Sequence, residues 1–218
     1  MPKRFDLLVF DWDGTLIDSA GAIVACIQAA CRDLGLPVPS DERASHVIGL
    51  GLADALAHAV PGLPPSEYAR VAERYRHHFL VRGASLPLFP GTQAMLVGLR
   101  AGGHALAIAT GKSRAGLARS LQQTGLAALF AATRCADQCA PKPAPDMLLE
   151  LLDETGVAPG RALMVGDTSH DVQMAANAGV AAVAVSYGAH AAAELAALTP
   201  LALVHSTPEL ARWLATNA

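Results

Sequence analysis

Leu7-Leu8-Val9-Phe10-Asp11-Trp12-Asp13-Gly14-Thr15 is the stretch that decides how this chain folds. Four apolar residues run without a polar break. Two carboxylates follow, two positions apart, and then a glycine. An unbroken apolar tetrad of this length reads as a strand covered on both faces, the condition of strands in parallel sheets. Open α/β sheets bind ligands beyond the carboxyl ends of their strands, which is where Asp11 and Asp13 fall. The two carboxylates can converge on one cation if the chain turns sharply, and Gly14 permits that turn. Without a cation or a proton they repel. Taken alone, the fragment also reads as an ordinary strand-to-helix turn with an aspartate cap.

Outward from this stretch the pattern repeats. Apolar runs of strand length occur at 105–109, 162–165, 181–185 and 201–204, with a weaker one at 130–133. Helical patterns follow at 113–123, stopped by Gly125, and at 145–155, with Pro145 at the first turn and Gly156 past the end. A short one at 171–178 ends at Gly179. Strands alternating with helices predict a Rossmann-like, doubly wound and mainly parallel α/β sheet. One region breaks the rhythm: between Ile17 and about Leu86 no strand is legible. Helices are predicted there over 19–34, 52–60 and 66–80, the last with Ser66 as its N-cap. The expected organisation is therefore a core of residues 1–16 and 87–218 with a helical domain of residues 17–86 inserted after the first strand.

Composition agrees and excludes several classes. The chain has 218 residues, 52% hydrophobic and 16% charged, enough to bury a full core without a disulfide or metal staple. A charged fraction this low argues against disorder. The net charge of −3 gives no basic footprint for nucleic acid. No stretch reaches the ~18–20 strongly apolar residues of a membrane span, and the apolar run after Lys3 and Arg4 is too short for a secretory signal. Cys26, Cys31, Cys135 and Cys139 show no CxxC spacing, which reads as reduced thiols in a cytoplasm. Cys135 and Cys139 are expected to be buried fillers.

Three further features carry chemistry. Gly166-Asp167-Thr168-Ser169-His170-Asp171 follows the apolar run 162–165, so a second pair of acids sits at a strand's carboxyl end. Asp167 can join Asp11 and Asp13 in an oxygen-only site, which suits Mg²⁺ better than Zn²⁺. Asp171 falls in a first helical turn, where it also complements the helix dipole. His170 is expected to be a plain loop position. Lys142, in Pro141-Lys142-Pro143-Ala144-Pro145, sits in a proline-stiffened loop and is a candidate fixed charge for phosphate. Thr110-Gly111-Lys112-Ser113 offers a hydroxyl and free amides at a helix start, an anion cradle. It is not a Walker loop, because the first glycine of that motif would fall at Leu106.

In this order and spacing the chain resembles the haloacid dehalogenase superfamily, and within it the phosphatases with a helical cap, phosphoglycolate-phosphatase-like. Asp11–Thr15 corresponds to the first motif, Thr110 to the second, Lys142 to the third and Gly166–Asp171 to the fourth. Trp12 departs from the phenylalanine usual in that branch and is expected to matter little if the position contributes mainly its backbone. The resemblance implies a hydrolase of phosphoric monoesters. Asp11 would be the nucleophile and Asp13 the general acid and base. Mg²⁺ would be held by Asp11, Asp13 through its backbone carbonyl, and Asp167, with Asp171 either a ligand or the residue that orients Lys142 or a water. Trp12, Asp13, Thr110, Gly111 and Lys142 would hold the phosphate. Substrate choice would fall to the cap and its hinge, with Asp18, Ser19, His46, the Gly49–Gly51 turn, Arg70, Arg74 and His77 as candidates. The implied partner is a small phosphorylated metabolite, and the implied assembly a monomer or homodimer. A sugar phosphomutase of the same superfamily, or a non-catalytic binding protein of this fold, is the alternative. A dehalogenase would not need Asp13. A phosphonate hydrolase would need a lysine in the cap, and none lies between Lys3 and Lys112.

Overall fold

The computed structural model describes residues 3–82 and 86–218. Six strands, β1 (Leu7–Phe10), β2 (Ala105–Thr110), β3 (Ala132–Cys135), β4 (Ala162–Gly166), β5 (Ala181–Val185) and β6 (Ala202–Val204), form one sheet in the order β3-β2-β1-β4-β5-β6. Every pairing is parallel. The strands are apolar on both faces because both faces are covered. Leu8, Phe10, Leu106, Ile108, Leu163 and Val165 point to one side, against α5 (Thr92–Ala101), α6 (Arg114–Thr124) and α10 (Thr207–Asn217). Leu7, Val9, Ala107, Ala109, Ala162 and Met164 point to the other, against α7 (Asp146–Thr155), α8 (Ser169–Asn177) and α9 (Ala192–Ala197). The result is a three-layer α/β/α core of the Rossmann-like class.

The chain leaves this core after β1. Residues 17–82 carry four helices, α1 (Ala20–Asp33), α2 (Asp41–His46), α3 (Leu52–Ala59) and α4 (Tyr68–Arg82), and no strand among the described residues. They bury an apolar cluster of their own around Ile27, Val47, Leu56 and Val71. The outgoing and returning segments run side by side: Phe89 N–H donates to the Leu16 carbonyl at 3.1 Å, and Asp18 N–H to the Pro87 carbonyl at 2.9 Å. Of the expected insert, residues 83–85 lie outside the described residues.

Three local expectations are corrected. The weak strand forms at Ala132–Cys135, not at 130–133. Residues 127–129 close a 3₁₀ turn first, and Phe130 is drawn to the edge of the Trp12 ring, with centroids 6.3 Å apart. Ser66 is not a cap, because it lies inside the 3₁₀ turn Pro65–Glu67 that leads straight into α4. The Trp12 side chain is not incidental either. It is fully buried, and its Nε1–H donates to the Ser120 hydroxyl of α6 at 2.8 Å, tying the loop after β1 to a core helix.

That last bond gives a stability prediction. Trp12→Phe removes the donor and leaves the Ser120 hydroxyl unpaired at a buried position, at a cost of about 1–3 kcal/mol. Thermal unfolding should show a Tm lower by about 2–12 °C for a chain of this size. An unchanged Tm would mean that the indole does not anchor this loop.

Candidate active site

The strand order explains why the two acidic motifs meet. The chain builds outward from β1 to β2 and β3, then crosses back to β4 and builds the other way. The carboxyl ends of β1 and β4 therefore flank the point where the winding reverses, which is where a crevice opens in such sheets. Asp11 directly follows β1, and Asp167 directly follows β4. Carboxylate oxygens of Asp11, Asp167 and Asp171 lie within 4.8 Å of one another, all three fully buried.

Each carboxylate is held differently. Asp167 accepts from the Thr15 hydroxyl at 2.6 Å and from the Ala189 N–H at 2.8 Å. It also packs against Gly14, which turns at φ +81°. A Cβ there would stand 2.2 Å from Asp167 Oδ2, so both the conformation and the space demand glycine. Asp171 closes a capping box at the start of α8, its Oδ2 accepting from the Thr168 N–H at 3.0 Å and the Thr168 hydroxyl at 2.7 Å. Its Oδ1 accepts from Lys142 Nζ at 2.6 Å. Asp11 has a charge contact, with Lys142 Nζ 2.9 Å from Oδ1, but neither of its buried oxygens receives a well-directed hydrogen bond.

Burial and charge set the protonation. Burial first, then Asp171 and Asp13, outweigh the pull of Lys142 and raise Asp11 from 3.8 to about 7. Asp167 is raised well above the usual carboxylate range by burial and by Asp11 and Asp171. Burial alone would lower Lys142, yet Asp11 and Asp171 outweigh it and hold the ammonium charged.

This set fits a hard divalent cation. The donors are all carboxylate oxygens, no histidine or thiol intervenes, and Asp11 keeps buried lone pairs with no partner. The Asp13 side chain is outside the cluster. Lys112 Nζ lies 3.0 Å from both its oxygens, and the Ser19 hydroxyl donates to Oδ1 at 2.8 Å. With its side chain so occupied, Asp13 could offer such a cation only its backbone carbonyl. Both oxygens of Asp171 are already engaged, which favours its role in orienting Lys142.

A cavity of about 600 Å³ opens over Asp11 and Asp13. Thr110, Gly111 and Lys112 line it from the core, and residues of α1, α3 and α4 from the insert. Lys142, Asp167 and Asp171 are not on its wall. The insert's backbone meets the core at Gly111, where a Cβ would stand 2.5 Å from the carbonyl oxygens of Gly49 and Leu50. The Gly49–Gly51 turn thus lines the cavity.

The other specificity candidates are placed elsewhere. Arg70 pairs with Glu67 at 3.2 Å, and Arg74 faces Asp33 at 3.7 Å. His77 is exposed and Asp18 is an exposed hinge residue. Ser19 acts on Asp13 and does not line the cavity. His46 belongs to a separate cluster, stacked on His190 at 4.7 Å with Glu194 3.7 Å away. His170 is not a loop residue. It sits in the first turn of α8 and bonds the His46 carbonyl at 3.0 Å, and burial lowers its pKa. Cys135 is buried, its thiol pushed up to about 11 by burial, whereas Cys139 is only half-buried. Lys112, Tyr75, Arg76, Phe79 and Arg119 line the cavity and escape a reading of the sequence. Only Lys112 carries a local signal, two residues beyond Thr110.

Comparison with known proteins assigns the family. The family model for haloacid dehalogenase-like hydrolases matches residues 8–185. The chain belongs to that family. This haloacid dehalogenase-like hydrolase is 35% identical over 210 residues to a protein named probable phosphatase IndB from Dickeya dadantii (strain 3937), covering 94% of this chain and 91% of the relative. It is 31% identical to a phosphoglycolate phosphatase of Synechococcus elongatus, covering 93% of this chain and 94% of that one. A solved structure described as a predicted phosphoglycolate phosphatase from Haemophilus somnus 129pt superposes with a TM-score of 0.86 at 25% identity, covering 97% and 99% of the two chains. No described helix of this hydrolase is long and apolar enough to cross a membrane.

The raised Asp11 has a sign that can be measured. Below about pH 4 the carboxyl is protonated both folded and unfolded. Between about pH 4 and 7 only the folded protein keeps that proton, so its contribution to stability is lost as pH rises through that window. Without divalent cations, Asp11→Asn should therefore match the parent near pH 4 and become increasingly more stable than it up to pH 7–8 in urea unfolding. A stability difference that does not vary with pH would contradict this placement of Asp11.

Proposed function

We propose that this chain is a Mg²⁺-dependent phosphatase that hydrolyses a small phosphate monoester through an aspartyl-phosphate at Asp11. The observation that carries the reading is Asp11 itself, a buried carboxylate on the cavity floor with Lys142 beside one oxygen and no hydrogen-bond donor holding the other. The names of its relatives as phosphatases support the same chemistry.

In the first half-reaction an Asp11 oxygen attacks phosphorus in line, the bond from phosphorus to the leaving oxygen breaks, and Asp13, which must enter this step protonated, gives that oxygen its proton. In the second, water attacks the phosphorus of the aspartyl-phosphate, Asp13 takes the water's proton, and the bond from Asp11 to phosphorus breaks. Inorganic phosphate departs and Asp11 is restored. Lys142 keeps Asp11 oriented while Asp171 keeps Lys142 oriented. The Thr110 hydroxyl, the Gly111 amide and Lys142 supply donors for the phosphoryl oxygens, an arrangement of fixed dipoles that stabilises charge in transit. Asp11, the Asp13 carbonyl and Asp167 would hold Mg²⁺, which would supply positive charge to keep Asp11 ionised and to offset the charge of the phosphoryl group. Residues 17–86 act as a cap that excludes bulk water from the cavity.

Phosphate release from a generic aryl phosphate with Mg²⁺ tests this reading. Asp11→Asn should lower kcat by several orders of magnitude. Asp13→Asn should lower it by roughly 10²–10⁴, the usual contribution of a positioned acid–base group. Near-normal turnover by Asp11→Asn would remove the nucleophile assignment.

A further inference from the structure

The cavity over Asp13 is built for a particular kind of leaving group. On the insert side its wall is mostly apolar: Ile23 and Ile27 of α1, Val47 and Ile48 after α2, Leu52 of α3, and Tyr75 and Phe79 of α4. Tyr75 and Phe79 stack with ring centroids 5.7 Å apart. The Tyr75 hydroxyl has no hydrogen-bond partner among the described residues, and its side chain lines the same cavity as Asp13. Burial first, and Asp13 second, raise its pKa, so the phenol remains a donor.

The charges are as informative as the apolar wall. A short acidic leaving group such as glycolate carries a carboxylate, and burying it demands a sheltered cation. Among the described residues the only cation that the insert contributes to the wall is Arg76, which is exposed. Arg119, on the core side, is exposed too, and charges screened by water contribute little. Lys112 is sheltered but already committed, bridging both oxygens of Asp13 and lying 4.7 Å over the Phe79 ring. The volume of about 600 Å³ falls in the range of pockets that take ligands much larger than a two-carbon acid.

We infer that the leaving group is an uncharged alcohol with an apolar or aromatic body, packed against the α1 and α4 wall, with Tyr75 as a specificity-determining side chain. This rests on the phosphatase reading above and narrows its substrate class.

The experiment compares kcat/KM for benzyl phosphate and 2-phosphoglycolate in the full chain with Mg²⁺, with p-nitrophenyl phosphate as the common control. Both test substrates release a primary alkoxide, so the comparison reads the body of the leaving group and not its reactivity. Benzyl phosphate should be favoured at least tenfold, mainly through KM. Tyr75→Ala should reduce that ratio at least tenfold. Leu52→Arg, at a half-buried wall position, should shift the ratio toward 2-phosphoglycolate by a similar factor and keeps the test open should Tyr75→Ala not fold. Equal efficiencies, or a preference for 2-phosphoglycolate, in the unaltered protein would overturn the inference while leaving the phosphatase reading intact. Failure to cleave any of the three, the control included, would overturn that reading as well.

Discussion

The site depends on one buried ammonium. Lys142 reaches 2.6 Å from Asp171 and 2.9 Å from Asp11, at 2% exposure. Three buried carboxylates share one small volume, and a single lysine offsets one of their charges. The remaining excess of two negative charges adds to the effect of burial in raising Asp11 and Asp167, and it matches the charge of a divalent cation. Removing one partner from such a buried ion cluster costs far more than an exposed pair is worth, because the partners left behind cannot be solvated. Lys142 therefore holds the cluster together, and in the proposed mechanism it also orients the attacking carboxylate.

The sheet makes this cluster possible. Its parallel strands end together, and the reversal of winding between β1 and β4 sets two acidic turns side by side although they are far apart in the chain. The glycines and the buried Trp12–Ser120 bond fix the loop after β1 tightly enough that Asp11 and Asp13 diverge. Asp11 joins the buried cluster, whereas the Asp13 side chain faces the cavity with Lys112 and Ser19. Two neighbouring acids thereby sit in two different surroundings.

Much of this was legible in the sequence because the signals were local. Apolar tetrads followed by Asp11 and Asp167 mark strand ends, and the prolines around Lys142 mark a stiff loop. The helices α2, α5, α9 and α10 were not read. α2 buries only Ala44 and so has no periodicity to detect. α10 carries a start signal in Ser206, which accepts from the Glu209 N–H, and in the proline that follows. The cavity wall was hard to read for a different reason. Arg70 and Arg74 are charged residues on the predicted helix, but their partners Glu67 and Asp33 are visible only once α1 and α4 pack together. Tyr75 and Phe79 pack on the insert's core while also facing the cavity. Periodicity separates buried from exposed, and it does not separate a core from a pocket.

The central claim is that Asp11 becomes covalently phosphorylated during turnover. Rapid quenching of the protein turning over a phosphate monoester with Mg²⁺, reductive trapping of the acyl phosphate and peptide mass spectrometry would read it directly. The account predicts the label on the peptide containing Asp11 and its absence in Asp11→Asn. A label on another residue, or steady turnover with no trapped aspartate, would contradict it.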